Sequence, residues 1–182
     1  MARAVSYVPQ EHGMPFPYRV KDIVLMGRTP YMNRIGNLPR SEHVRALEAL
    51  DRLGMADLAE ITFHRLSGGQ RQMVLIARAL AQDTPVILLD EPASNLDFKN
   101  QIIVWRVMKQ LARSGLTVVV CTHDPNHVLW FCDAVLVINQ GQIVAHGDPG
   151  SVMTQSTLNA LYPGISSMHH FGDMAMVTPL RD

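Results

Sequence analysis

Three short runs decide what this chain can become. PVILLDE (85–91), LTVVVCTH (116–123) and AVLVIN (134–139) are almost wholly apolar, with no alternation of polar and apolar positions. A strand with one wet face alternates, whereas an unbroken apolar strand needs cover on both faces. Between the first two runs, residues 98–113 read as a helix, with Asp97 as N-cap and Gly115 just past the end. Buried strands separated by helices predict an α/β fold: a mainly parallel sheet with helices on both faces. The 182 residues, 47% of them hydrophobic, suffice for one sizeable core plus a lobe.

The rest of the chain is organised around that core. RAVSYV (3–8) reads as a strand and residues 9–19, rich in proline and glycine, as a loop. Three helical pieces follow near 20–28, 41–54 and 56–60; Ser41 with Glu42 marks the start of the middle one and Gly54 its stop. They form a small helical lobe. The helix after residue 67 is apolar nearly all round and is expected to be buried. Gln140-Gly141 predicts a hairpin turn leading into QIVAHG, and 148–162 reads as short helices. From Ile165 the tail reads as irregular, with His169 and His170 solvated.

Charge and cysteine content narrow the function classes. Sixteen basic and sixteen acidic residues cancel, so no bulk field draws the chain to nucleic acid or anionic lipid. Cys121 and Cys132 lie in apolar segments without a CxxC spacing, and read as reduced core thiols of a cytosolic protein. No apolar run reaches the roughly 18 residues that span a bilayer, and MARAVSYVPQ is no signal peptide. If a membrane matters, another chain crosses it.

Three places carry chemistry. LSGGQ (66–70) puts two glycines at a helix N-terminus, where bare amides, the positive end of the helix dipole and the Ser67 hydroxyl suit an anion. The alternative is an ordinary helix cap made by Ser67. Asp90 and Glu91 end one strand, and Thr122, His123 and Asp124 end the next; ligand sites of open parallel sheets lie beyond such ends. A carboxylate there can hold Mg²⁺, a second can direct water, and a histidine can stabilise charge on a phosphoryl group. Against these stand a solvated turn at Asp90-Glu91, a capping role for His123, and an HxxxH metal pair of His123 with His127.

LSGGQ, VILLDEP, SNLD (94–97) and THD (122–124), with YVPQ (7–10) upstream, resemble in order and spacing the ATPase subunit of ABC transporters over residues 3–162. The resemblance implies a P-loop NTPase-like fold with an inserted helical subdomain, ATP and Mg²⁺ as ligands, and work as a dimer. It implies that Leu66, Ser67, Gly68, Gly69 and Gln70 bind the γ-phosphate of an ATP held mainly by the opposite subunit, and that Asp97 runs across that interface. Asp90 and Gln10 match Mg²⁺ positions, Glu91 the general base and His123 the switch histidine. The implied domains are 1–10 (strand and glutamine loop), 11–65 (helical subdomain), 66–147 (signature helix and ATPase core) and 148–182 (C-terminal helices and tail). The groove near Gln10 and the helical subdomain would seat a permease, with a substrate-binding protein as an indirect partner, no nucleic acid, and a location on the cytoplasmic face of the membrane. PYRVKDIVLMGRTPY and LLDEPASNLDFKNQ look most like importers of iron chelates, haem, cobalamin or molybdate/tungstate.

GxxxxGK[ST], the phosphate-cradling loop of that family, is absent from the 182 residues. The chain is therefore expected to be truncated at its N-terminus, to bind ATP weakly by itself, and to leave the 85–91 strand short of a neighbour. A non-catalytic partner supplying only LSGGQ to a complete subunit is the alternative, and a soluble ATPase of repair or translation a more distant one.

Overall fold

In the computed structural model, which describes residues 2–10, 16–32, 38–172 and 174–180, the apolar run after Pro85 becomes the centre of a parallel sheet. Strand β2 (Val86–Asp90) pairs with β1 (Val5–Val8) on one edge and β3 (Thr117–Cys121) on the other. The register runs Tyr7↔Leu88↔Val119. The expectation that this strand lacks a neighbour is thus corrected. The two contact-defined units of the chain are Met1–Cys121 and Thr122–Asp182.

Strand pleat separates the two faces of this sheet. Ser6, Val8, Ile87 and Leu89 are each no more than 1% exposed. On the opposite face Val5, Tyr7, Val119 and Cys121 are exposed, so β3, expected to be buried, is half open and Cys121 is not a core thiol. The cause is alternation imposed by the pleat: successive side chains point to opposite faces, so an apolar sequence does not by itself decide that both faces are buried.

Helix α3 (Gly68–Ala81) supplies the cover on the closed side, burying Met73 to Ala77 and Ala79 to Ala81. Around it pack α1 (Val20–Leu25), α2 (Arg40–Asp51) and α4 (Phe98–Arg113). The helix expected over 20–28 stops at Leu25 and tightens into a 3-10 turn over Met26–Tyr31, where Pro30 offers no amide. That tight path suits a close approach: a Cβ at Gly27 would overlap the carbonyl oxygen of Arg78. Next to it Arg28 is 1% exposed; it pairs with Glu42, donates from Nη1 to the Ala81 carbonyl at 2.5 Å, and lies over the Tyr31 ring at 3.8 Å. Pro39 rather than Ser41 precedes α2, with no side-chain cap, and 56–58 form a 3-10 turn. Of the loop expected at 9–19, residues 11–15 lie outside the described residues.

The second unit starts with α5 (Pro125–Phe131), capped by Asp124. Strands β4 (Val135–Asn139) and β5 (Gln142–Gly147) form the expected hairpin, with positive φ at both Gln140 and Gly141, as a two-residue primed turn requires. The 134–139 run thus pairs antiparallel in a two-stranded ribbon. Helices α6 (Pro149–Val152) and α7 (Gln155–Leu161) follow, and Val128, Val137, Met153 and Leu158 form the core. The tail is not irregular: β6 (Ser166–Phe171) and β7 (Met174–Pro179) make an antiparallel hairpin. Side chains from earlier elements pin it: the Asn126 amide exchanges hydrogen bonds with the Val177 backbone, and Gln155 with Ser166 and Met168. Among the described residues no helix is long and apolar enough to cross a membrane.

Gly27→Ala is expected to destabilise the fold by about 1–3 kcal/mol, the usual cost of overpacking a tight contact. A urea unfolding series that leaves the midpoint of the variant unchanged would contradict this packing.

Candidate functional site

LSGGQ folds as it does because Ser67 and Gln70 cap one another. Ser67 has extended backbone, its hydroxyl accepts from the Gln70 amide at 3.3 Å, and the Gln70 side chain accepts from the Ser67 amide at 3.0 Å. This is a capping box, with glutamine in the position usually given to glutamate. The box engages the amides of Ser67 and Gln70, not those of Gly68 and Gly69. Leu66 and Gly69 face inward, while Ser67 and Gly68 are exposed.

The two glycines have different reasons to be glycine. A Cβ on Gly69 would overlap the Asn100 side chain, whereas one on Gly68 would meet only Leu96 at 3.6 Å. Gly69 therefore permits α3 to approach α4. Gly68 leaves an exposed first turn where the dipole is positive. Asn100 is the residue that sequence reasoning missed. It lies against Gly69 and donates twice to Asp97, from its backbone at 2.9 Å and its side chain at 2.7 Å. Asp97 is the N-cap of α4, as its place before the helix indicated.

Strand β2 delivers the paired carboxylates. Asp90 is its last residue, half buried, and accepts a hydrogen bond from the Tyr7 hydroxyl on β1 at 3.2 Å. The Tyr7 pKa is raised, first by partial loss of water, then by that hydrogen bond and the negative charge of Asp90. A single strand-end carboxylate fits Mg²⁺, which takes one or two protein oxygens and leaves its other positions to phosphate and water. Glu91 follows with φ at 46°, a left-handed backbone uncommon outside Gly, Asn and Asp. Its amide donates to the Cys121 carbonyl at 3.0 Å, and its own carbonyl accepts from the Ser94 amide and hydroxyl. Gln10 is exposed, two residues past β1.

His123 belongs to the second unit. Its side chain is exposed on an anchored backbone: the Tyr162 hydroxyl donates to its carbonyl at 2.9 Å, and the next amide donates to Thr122 Oγ1 at 3.2 Å. Asp124, not His123, caps α5, accepting from the amides of Asn126 and His127. His127 is 6% exposed, with Nδ1 3.2 Å from Asp124 Oδ2 and its ring edge-on to Trp130. Thr122, His123, Asp124 and Tyr162 line a cleft with Leu136 and Met153.

Comparison with known proteins places these features in a family. The ABC transporter family model matches residues 1–94. The chain is 42% identical over 161 residues to the molybdate import ATP-binding protein MolC of Haemophilus influenzae, covering 88% of this chain and 63% of that protein. It is 38% identical over 189 residues to the hemin import ATP-binding protein HmuV of Nocardia farcinica, covering 100% of this chain and 63% of that one. Among solved structures, one described as an inward-facing conformation of a metal-chelate type ABC transporter superposes with a TM-score of 0.88 at 37% identity, over 98% of this chain and 72% of the other. The chain spans 62% to 64% of the length of the first curated relatives it matches.

The Asn100 amides, backbone first and side chain second, hold the Asp97 carboxyl below the ordinary aspartate range. A depressed folded value means that the contribution of Asp97 to stability is full above about pH 4 and is lost as pH falls through the lower folded value. Asp97→Asn keeps a capping acceptor but removes the titration, so its urea midpoint is expected to fall less steeply than that of the wild type between about pH 4 and pH 2. Parallel acid limbs for the two proteins would contradict this.

Proposed function

Because this chain belongs to the ABC transporter ATPase family, whose model spans residues 1–94, we propose that it is the ATP-binding subunit of an importer. In this reading it couples ATP binding and hydrolysis at a subunit dimer interface to transport through a separate permease. One observation carries it: a single unit holds both an exposed, glycine-opened helix start at Ser67–Gly68 and a strand ending in Asp90 and Glu91. The relatives act in import of molybdate and hemin, which supports a metal chelate, haem, cobalamin or oxyanion as cargo.

The proposed mechanism is positioning plus electrostatics. Leu66 to Gln70 address the γ-phosphate of ATP held mainly by the opposite subunit: Leu66 and Gly69 hold the turn from inside, and the first-turn amides offer positive dipole to the anion. Asp97 lies along the same interface. Asp90 and Gln10 would hold Mg²⁺, which supplies positive charge to the phosphates. Glu91 directs and deprotonates the attacking water, and His123 neutralises charge growing on the transferred group. The helical pieces within 11–65, with the groove near Gln10, seat the permease; 66–147 form the ATPase core and 148–182 the C-terminal part. A homodimer at the cytoplasmic face of the membrane, served indirectly by a substrate-binding protein and free of nucleic acid, completes the reading.

No GxxxxGK[ST] occurs in the 182 residues, so in this reading the glycine-and-lysine cradle for the phosphates of an ATP beside Asp90 and Glu91 is not supplied by these residues. The isolated chain is accordingly expected not to saturate with a fluorescent ATP analogue in the micromolar range; micromolar affinity would overturn this. In mixed dimers with a complete ATPase subunit, Ser67→Ala in this chain is expected to slow hydrolysis of the partner's ATP at least tenfold. Glu91→Gln in this chain is expected to leave that hydrolysis unchanged. Equal effects would remove the division of labour between the signature turn and the carboxylates.

A further inference from the structure

We propose that the outer face of the β6–β7 hairpin binds one soft monovalent cation, Cu(I) or Ag(I), through the imidazole of His169 and the thioethers of Met174 and Met176. The site is separate from the nucleotide reading and stands without it.

Register and pleat assemble the ligands. His169 pairs directly with Met176, and Phe171 with Met174. Alternation puts His169, Phe171, Met174 and Met176 on one face, while Met168 and Val177 on the other pack against the Val128–Leu158 cluster. Directly opposed residues have Cβ atoms about 5 Å apart and diagonal ones about 7–8 Å, within reach of a histidine and two flexible methionines closing on one ion. His169 is exposed, as are Phe171 and Met174, at 61% and 53%. The Phe171 ring stacks beside the imidazole at 6.3 Å between centroids, placing an apolar wall next to the ligands.

Ligand chemistry selects the ion. Two thioethers and one imidazole form a soft set without a carboxylate or thiolate, which favours Cu(I) over Mg²⁺, Ca²⁺ or Zn²⁺.

The hairpin frame is held before any ion arrives. Trp130 Nε1 donates to the Ala175 carbonyl at 3.0 Å, and the Asn126 side chain accepts from the Val177 amide at 2.7 Å and donates to its carbonyl at 3.0 Å. These bonds bracket Met176. On the outer edge of β6, Gln155 donates to the Ser166 carbonyl and accepts from the Met168 amide, both at 2.9 Å. Both strands are thereby fixed along their free edges, which lowers the ordering cost of binding.

The test is an anaerobic Ag(I) titration of the full chain with ¹³C-methyl-labelled methionine, in a Cys121→Ser, Cys132→Ser background because Cys121 is exposed and Cys132 partly exposed, and a thiol would compete for the ion. The ε-methyl signals of Met174 and Met176 and the ring signal of His169 are expected to shift together and saturate at one Ag(I) per chain, while the other nine of the 11 methionines stay still. His169→Ala is expected to weaken binding at least tenfold. His170→Ala, one residue along on the opposite face, is expected to leave it unchanged and serves as the folding control. Shifts spread over many methionines without saturation at one equivalent, or equal weakening by both histidine variants, would overturn the site.

Discussion

Burial of α3 is the demand around which the first unit is arranged. Eight of its side chains from Met73 to Ala81 are buried, and a large apolar side chain taken fully out of water contributes about 1.5–3 kcal/mol. Two glycines let neighbours come close enough to do this: Gly27 against the Arg78 carbonyl, and Gly69 against Asn100. The C-terminal end of the helix is then closed by charge, since Arg28 reaches the Ala81 carbonyl while Glu42 balances it. A buried pair of this kind is costly to break from one side, because the surviving charge is left without a partner.

Several local signals were legible because the forces behind them are local, although Ser41 did not prove to be the cap of α2. Asp97 and Gly115 marked α4, and the Gln140-Gly141 turn marked its hairpin, because caps and primed turns are written in adjacent residues. The C-terminal hairpin was not legible. His169 and His170 stand side by side and mask a period of two, and the strands are held by Asn126, Trp130 and Gln155, which lie far back in the chain. Exposure of one face of β3 was hidden for a related reason: composition records how apolar a strand is, not which of its faces receives a helix.

In the candidate site the residue types were legible and the contacts were not. Ser67 and Gln70 read as either cap or anion cradle, and the structure contains the cap. The two readings are compatible, because the box leaves the glycine amides outside its own hydrogen bonds. Tyr7 on Asp90, Asn100 on Gly69 and Tyr162 on the His123 carbonyl are long-range contacts that no spacing announces. Each holds a residue whose place in the sequence had already drawn attention.

Glu91 carries a further consequence. A left-handed backbone at a residue other than glycine costs on the order of 1–3 kcal/mol, and here the Cys121 and Ser94 hydrogen bonds hold it in place. Glycine at position 91 would relieve that strain and delete the carboxylate in one step. A substitution chosen for thermal robustness alone would therefore favour glycine here, and would remove the negative charge just beyond β2 along with the strain.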